Sequence, residues 1–161
     1  WSGVDVRLFV LGGPHELRVA QWGVEGARKV DENIGRCLQK VPGRNAVSYT
    51  KIENGEHRLK IYDFQTRKST KLGKLPSGSQ DYAWLDQTNV VSWNGTTLVY
   101  GDARRNTGWK TLVSPKPLRA VTRLAVSPDG SKLAVVFEPE SDALHLKPET
   151  VSRTTLFRPW R

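Results

Sequence analysis

Along much of the chain apolar and polar residues alternate one for one, the period of a β-strand rather than of a helix. The alternation is clearest through residues 37–41, 46–50, 59–63 and 70–72. Its interruptions are turn-forming: Pro42-Gly43, Glu53-Asn54-Gly55-Glu56 and Gln65-Thr66-Arg67-Lys68. Asn-Gly between alternating runs is the strongest short hairpin signal, because both residues accept the positive φ of a tight primed turn. This unit therefore predicts four strands joined by three turns. No segment of useful length carries a helical period, and Pro14, Pro115 and Pro117 interrupt the few candidates.

The unit repeats. Gly12-Gly13-Pro14-His15-Glu16-Leu17-Arg18-Val19-Ala20-Gln21-Trp22 aligns without a gap on Asn54-Gly55-Glu56-His57-Arg58-Leu59-Lys60-Ile61-Tyr62-Asp63-Phe64, an offset of about 42 residues set by His15 and His57. A second pair joins the stretch from Trp1-Ser2-Gly3 to that from Val126-Ser127-Pro128, about three such periods apart. Gly43-Arg44-Asn45-Ala46-Val47-Ser48-Tyr49 and Gln87-Thr88-Asn89-Val90-Val91-Ser92-Trp93 supply two further copies of the same hairpin. Four strands in about 40 residues make a small antiparallel sheet whose two faces must both be covered. Radial stacking of successive sheets covers them and leaves only short edges. The expected fold class is all-β: β-propeller blades, about four four-stranded antiparallel repeats spanning roughly 1–35, 36–79, 80–119 and 120–161 of one domain. A β-sandwich is the structural alternative, but it does not predict the recurring residues.

Val121-Thr122-Arg123-Leu124-Ala125-Val126-Ser127-Pro128-Asp129-Gly130-Ser131-Lys132-Leu133-Ala134-Val135-Val136 resembles the repeat of TolB-like bacterial propellers: an aliphatic strand, Ser-Pro-Asp-Gly, a basic residue, and a second aliphatic strand. Asp81-Tyr82-Ala83-Trp84-Leu85-Asp86 resembles the innermost strand of such a blade. Pro42-Gly43 keeps part of the motif, whereas Ser2-Gly3 and Asp86-Gln87 keep little. The resemblance implies a six-bladed ring in most relatives, periplasmic or secreted, acting as a protein-interaction platform. Four repeats are about two thirds of such a ring. The incomplete propeller is expected to be a piece of a longer chain, with closure as a small ring and completion by a partner as the alternatives. The chain begins at Trp1 and contains no methionine, which points to something upstream.

Fourteen glycines, nine prolines and six tryptophans suit frequent reversals packed with large aromatics. No run approaches the length of a membrane span. The net charge of +9 favours acidic partners, including nucleic acid, although the charges are scattered among the strands. Cys37 stands alone in an alternating stretch and reads as a small buried hydrophobe, and neither an intrachain disulfide nor a cysteine cluster is possible.

The candidate chemistry is sparse. His15 and His57 hold equivalent repeat positions, which argues for structural roles beside hairpins, and His145 falls in another expected strand. Asp129 reads as a turn residue rather than a calcium or catalytic carboxylate, since no second carboxylate stands at ligand spacing. Asn94-Gly95-Thr96 matches a glycosylation sequon but more simply makes a turn. Trp84, Trp93 and Trp109 are expected between blades. No Gly-x-Ser-x-Gly, phosphate loop or dinucleotide fingerprint occurs. No catalytic residue, metal ligand or cofactor is therefore expected. Arg158, Trp160 and Arg161 in the C-terminal tail have the composition of a partner-binding hot spot, or else belong to a strand sealing the last blade. The functional expectation is a non-enzymatic protein-binding or scaffold module, working with a protein partner in a multi-subunit complex or homo-oligomer. The alternatives are the propeller portion of a larger enzyme, such as a propeller-associated peptidase, and a basic surface for nucleic acid or another polyanion.

Overall fold

The computed structural model describes residues 6–11, 15–21, 25–112 and 120–137. They form thirteen strands in four separate antiparallel sheets. The first sheet has the order β1 (Val6–Leu11), β2 (Glu16–Gln21), β3 (Ala27–Glu32). The second has β4 (Ile34–Lys40), β5 (Ala46–Glu53), β6 (Glu56–Asp63) and β7 (Lys68–Lys74). The third has β8 (Tyr82–Trp84), β9 (Asn89–Trp93), β10 (Leu98–Asp102) and β11 (Lys110–Thr111), and the fourth has β12 (Arg123–Val126) and β13 (Leu133–Val136). No helix occurs among the described residues. The chain is thus all-β, a succession of β-propeller blades, and within each sheet a strand pairs with the next in sequence.

The turns follow from their residues. Glu53 pairs with Glu56, leaving a two-residue loop in which Asn54 and Gly55 take φ of 53° and 78°, the primed turn that matches the twist of the flanking strands. In the four-residue loop between β9 and β10, the Asn94 side chain accepts hydrogen bonds from the Thr96 and Thr97 backbone N–H groups at 3.1 and 2.9 Å. The sequon residue therefore serves the hairpin. In Ser127-Pro128-Asp129-Gly130, Gly130 N–H closes the turn on Ser127 O at 2.8 Å, and Asp129 accepts from the Ser131 N–H at 3.1 Å. Hydrogen bonds from Ser127 and Ser131 hold the Asp129 carboxyl well below the usual carboxylate range.

Three apolar clusters lie between successive sheets. Leu17, Ile34, Val47, Tyr49 and Tyr62 join the first sheet to the second. Cys37, Ala46, Leu59, Ile61, Tyr82, Trp84 and Val90 join the second to the third. Ala83, Val91, Leu98, Leu124, Leu133 and Val135 join the third to the fourth. Strand alternation explains the division: Val47 and Tyr49 face backward, while Ala46, one residue before Val47, faces forward. Trp84 is buried in the middle cluster, Trp109 packs against it, and Trp93 packs against the last one. Because both faces of a central sheet are covered, the polar residues of the alternation are buried as well. Ser48, Thr50 and Ser92 are each 0% exposed.

The two histidines are equivalent in their backbone bonds. The His15 carbonyl accepts the backbone N–H of Ile34, and the His57 carbonyl that of Leu75, at 3.1 and 2.9 Å. His15 just ahead of β2 is thereby tied to the first residue of β4, and His57 on β6 to the backbone that follows β7. His145 lies outside the described residues.

Candidate functional site

The first strands of the second, third and fourth sheets, β4, β8 and β12, are edge strands, and β8 touches both of the others. Three charged side chains meet at this inner edge. Arg36 lies on β4, Asp81 immediately precedes β8, and Arg123 opens β12. Arg36 donates to Asp81 Oδ2 from Nε at 3.2 Å and from Nη2 at 2.6 Å. Arg123 Nη1 stands 3.6 Å from Asp81 Oδ1. The carbonyl of Thr122 accepts from Arg123 Nη1 at 2.6 Å and from Arg36 Nη2 at 3.4 Å. The Asp81 side chain is 5% exposed, against 41% for Arg36 and 61% for Arg123. One buried carboxylate therefore anchors two guanidiniums that present themselves to solvent. Its Oδ1 is buried and has no hydrogen-bond partner.

The support beneath Asp81 is rigid. The Ser79 and Ser92 hydroxyls, 2.7 Å apart, lie 3.0 and 2.8 Å from the Asp81 carbonyl oxygen and fix its backbone. Next along the chain, Tyr82 and Trp84 donate to the buried Ser48 hydroxyl at 2.8 and 2.7 Å, binding the third sheet to the second. Burial pushes the Tyr82 phenol up, so it stays a neutral donor. Burial likewise pushes the Cys37 thiol up, and the residue packs in the middle cluster. His57 flanks the site: burial lowers its pKa, Asp81 raises it and Arg36 lowers it again, so the imidazole is neutral at pH 7.

A second charged cluster joins the first two sheets. Asp31 accepts from Tyr49 at 2.8 Å, from Lys51 at 2.5 Å and from Lys60. Burial alone would raise its carboxyl, but the bonds from Lys51, Lys60 and Tyr49 outweigh it and hold the group far below the usual range. With donors on both oxygens, this carboxylate is a clamp between sheets rather than a receptor.

Arg158, Trp160 and Arg161 lie outside the described residues. Among the described residues, no three His, Cys, Asp or Glu side chains stand together as a metal site would require. The triad of Arg36, Asp81 and Arg123 did not emerge from the sequence. Its one signal is spacing, since Arg36 meets Asp81 and Thr122 across 45 and 86 residues, close to one and two repeat periods.

No family model matches the sequence, and no curated protein matches it. Solved structures do. TolB from Acinetobacter baumannii superposes with a TM-score of 0.51 at 14% identity, over 86% of this chain and 47% of that one. A prolyl endopeptidase superposes with a TM-score of 0.52 at 13% identity, over 83% of this chain and 22% of that one. The chain thus spans about half the length of the first and about a fifth of the second. At such identities the likeness shows the fold, a TolB-like β-propeller.

Proposed function

We propose that the chain is part of a TolB-like propeller that binds a protein partner at the inner edge of its sheets and catalyses no reaction. The observation that carries this reading is the convergence of Arg36, Asp81 and Arg123 from three successive sheets, with the two arginine side chains 41% and 61% exposed. Arginines fixed by a buried acid are pre-organised, so they lose little side-chain freedom when a partner arrives. The other acids with strong local bonds serve the fold: Asp31 clamps two sheets, while Asp86 and Asp129 cap turns. Among the described residues no helix is long and apolar enough to cross a membrane. The likeness to TolB supports placing the protein in the periplasm or outside the cell, within a multi-subunit complex or homo-oligomer, with the tail residues Arg158, Trp160 and Arg161 as a further contact.

The test is affinity purification of the natural protein from its own cells after reversible cross-linking. A single protein retained in near-stoichiometric amount through a wash at physiological salt is the expected result. A protein that purifies alone and stays monomeric by light scattering would overturn the reading. The likeness to a prolyl endopeptidase favours a second reading, in which the chain is the propeller portion of a larger enzyme. Cleavage of proline-containing peptides by the same purified protein would decide for it.

A further inference from the structure

We propose that the inner-edge arginines receive the side-chain carboxylates of an acidic peptide segment; this names the partner's chemistry and rests on the binding reading above. The described hydrogen bonds leave Arg36 Nη1 and Arg123 Nε and Nη2 without a partner among the described residues. Those N–H groups sit on side chains already oriented by Asp81 and by the Thr122 carbonyl. A planar carboxylate matches a guanidinium in a two-bond geometry. Two arginines against one aspartate leave the site one positive charge in excess, within a chain of net charge +9.

The geometry of the two guanidiniums favours a carboxylate-bearing peptide among acidic ligands. An extended acidic peptide can offer one planar carboxylate to each guanidinium, with two parallel N–H bonds apiece. Nucleic acid would also want a continuous basic stripe. On the outer strands acids interrupt the positive charge: Lys71 is paired with Glu53, Lys74 with Glu56, and Arg104 and Arg105 with Asp102.

The probe is an acetylated, amidated peptide of four Gly-Glu repeats, titrated calorimetrically into the natural protein at low salt. Comparison ligands are the Gly-Gln peptide, inorganic phosphate and a ten-nucleotide single-stranded thymidine oligomer. Arg123→Gln removes one receptor while leaving the Arg36–Asp81 pair, and Arg36→Gln with Asp81→Asn removes the other without stranding a buried charge. Arg105→Gln removes an equal charge from the outer loop, where Arg105 is 76% exposed. The Gly-Glu peptide should bind the wild type, about tenfold weaker to Arg123→Gln and to the double variant, and unchanged to Arg105→Gln, as expected for loss of one charge-assisted contact. The Gly-Gln peptide should not bind. If the double variant fails to fold, Arg123→Gln decides alone.

Undiminished binding to Arg123→Gln, an equal loss in Arg105→Gln, no binding of the Gly-Glu peptide, or tighter Arg123-dependent binding of phosphate or the oligonucleotide would each overturn the proposal. A natural protein partner still retained by the Arg123→Gln protein would overturn this site and leave the binding platform standing. Loss of the site without any partner ever being found would count against both.

Discussion

Asp31 is held by three donors from the neighbouring sheet, and Lys60, with its side chain 11% exposed, depends on it for neutralisation. Replacing Asp31 by Asn keeps the shape but strands an ammonium in a poorly hydrated place. Breaking a buried pair from one side costs about 3 kcal/mol or more, so Asp31→Asn should lower the denaturant midpoint strongly at pH 7. The pH dependence has a fixed sign. Since the folded carboxyl is held below its ordinary value of 3.8, its contribution is present above that pH and is lost as pH falls further. Stability curves between pH 6 and pH 2 should therefore be steeper for the wild type than for Asp31→Asn, and parallel curves would show that the clamp is not ionised as described. The contrast with Asp129 shows what a sequence can reveal at this scale. Asp129 takes its donors from Ser127 and Ser131, two residues away on either side, so the motif itself contains its partners. Asp31 draws on residues 18, 20 and 29 positions away, and Arg36 meets Asp81 across 45, so no local pattern announces either group.

At the scale of the strand, the sequence predicted existence and direction better than contact. The expected strands 46–50 and 59–63 extend to Ala46–Glu53 and Glu56–Asp63 because the Asn54-Gly55 turn lets the pairing run to its tip. What alternation could not reveal was the seam between outer strands and the next sheet. Gly73 on β7 donates to the Ala103 carbonyl at 2.7 Å, and Lys74 N–H donates to the Asn106 side chain at 3.0 Å. A Cβ on Gly73 would lie 2.0 Å from the Arg105 carbonyl oxygen, which is backbone and cannot swing aside. Gly73→Ala should therefore cost roughly 1–3 kcal/mol, as overpacking does. A glycine-to-alanine change within a strand would otherwise stabilise slightly. Chemical denaturation of Gly73→Ala reads this directly, and a neutral or stabilised variant would mean that β7 does not dock on the 103–106 segment.

The whole molecule is a stack in which each apolar cluster joins only adjacent sheets. The repeat made that stacking legible, because radial stacking covers both apolar faces of a sheet of four short strands and also accounts for the recurring residues. The inner-edge site was not legible, since it arises where three sheets converge and belongs to no single repeat. A stack of this kind should lose stability from the damaged junction outward, as in other repeat architectures with nearest-neighbour coupling. Leu17, 0% exposed at the junction of the first two sheets, is the place to test it. Leu17→Ala removes buried methyl groups at a cost of about 2–5 kcal/mol to that junction. Amide hydrogen exchange should then quicken in β2 and in the facing strands β5 and β6 and stay near wild-type rates in β9 and β12, whose cluster does not include the first sheet. If protection instead falls equally from β2 to β12, the sheets open together. The inner-edge arginines would then be held by the cooperativity of the whole stack rather than by the bonds of Asp81 alone.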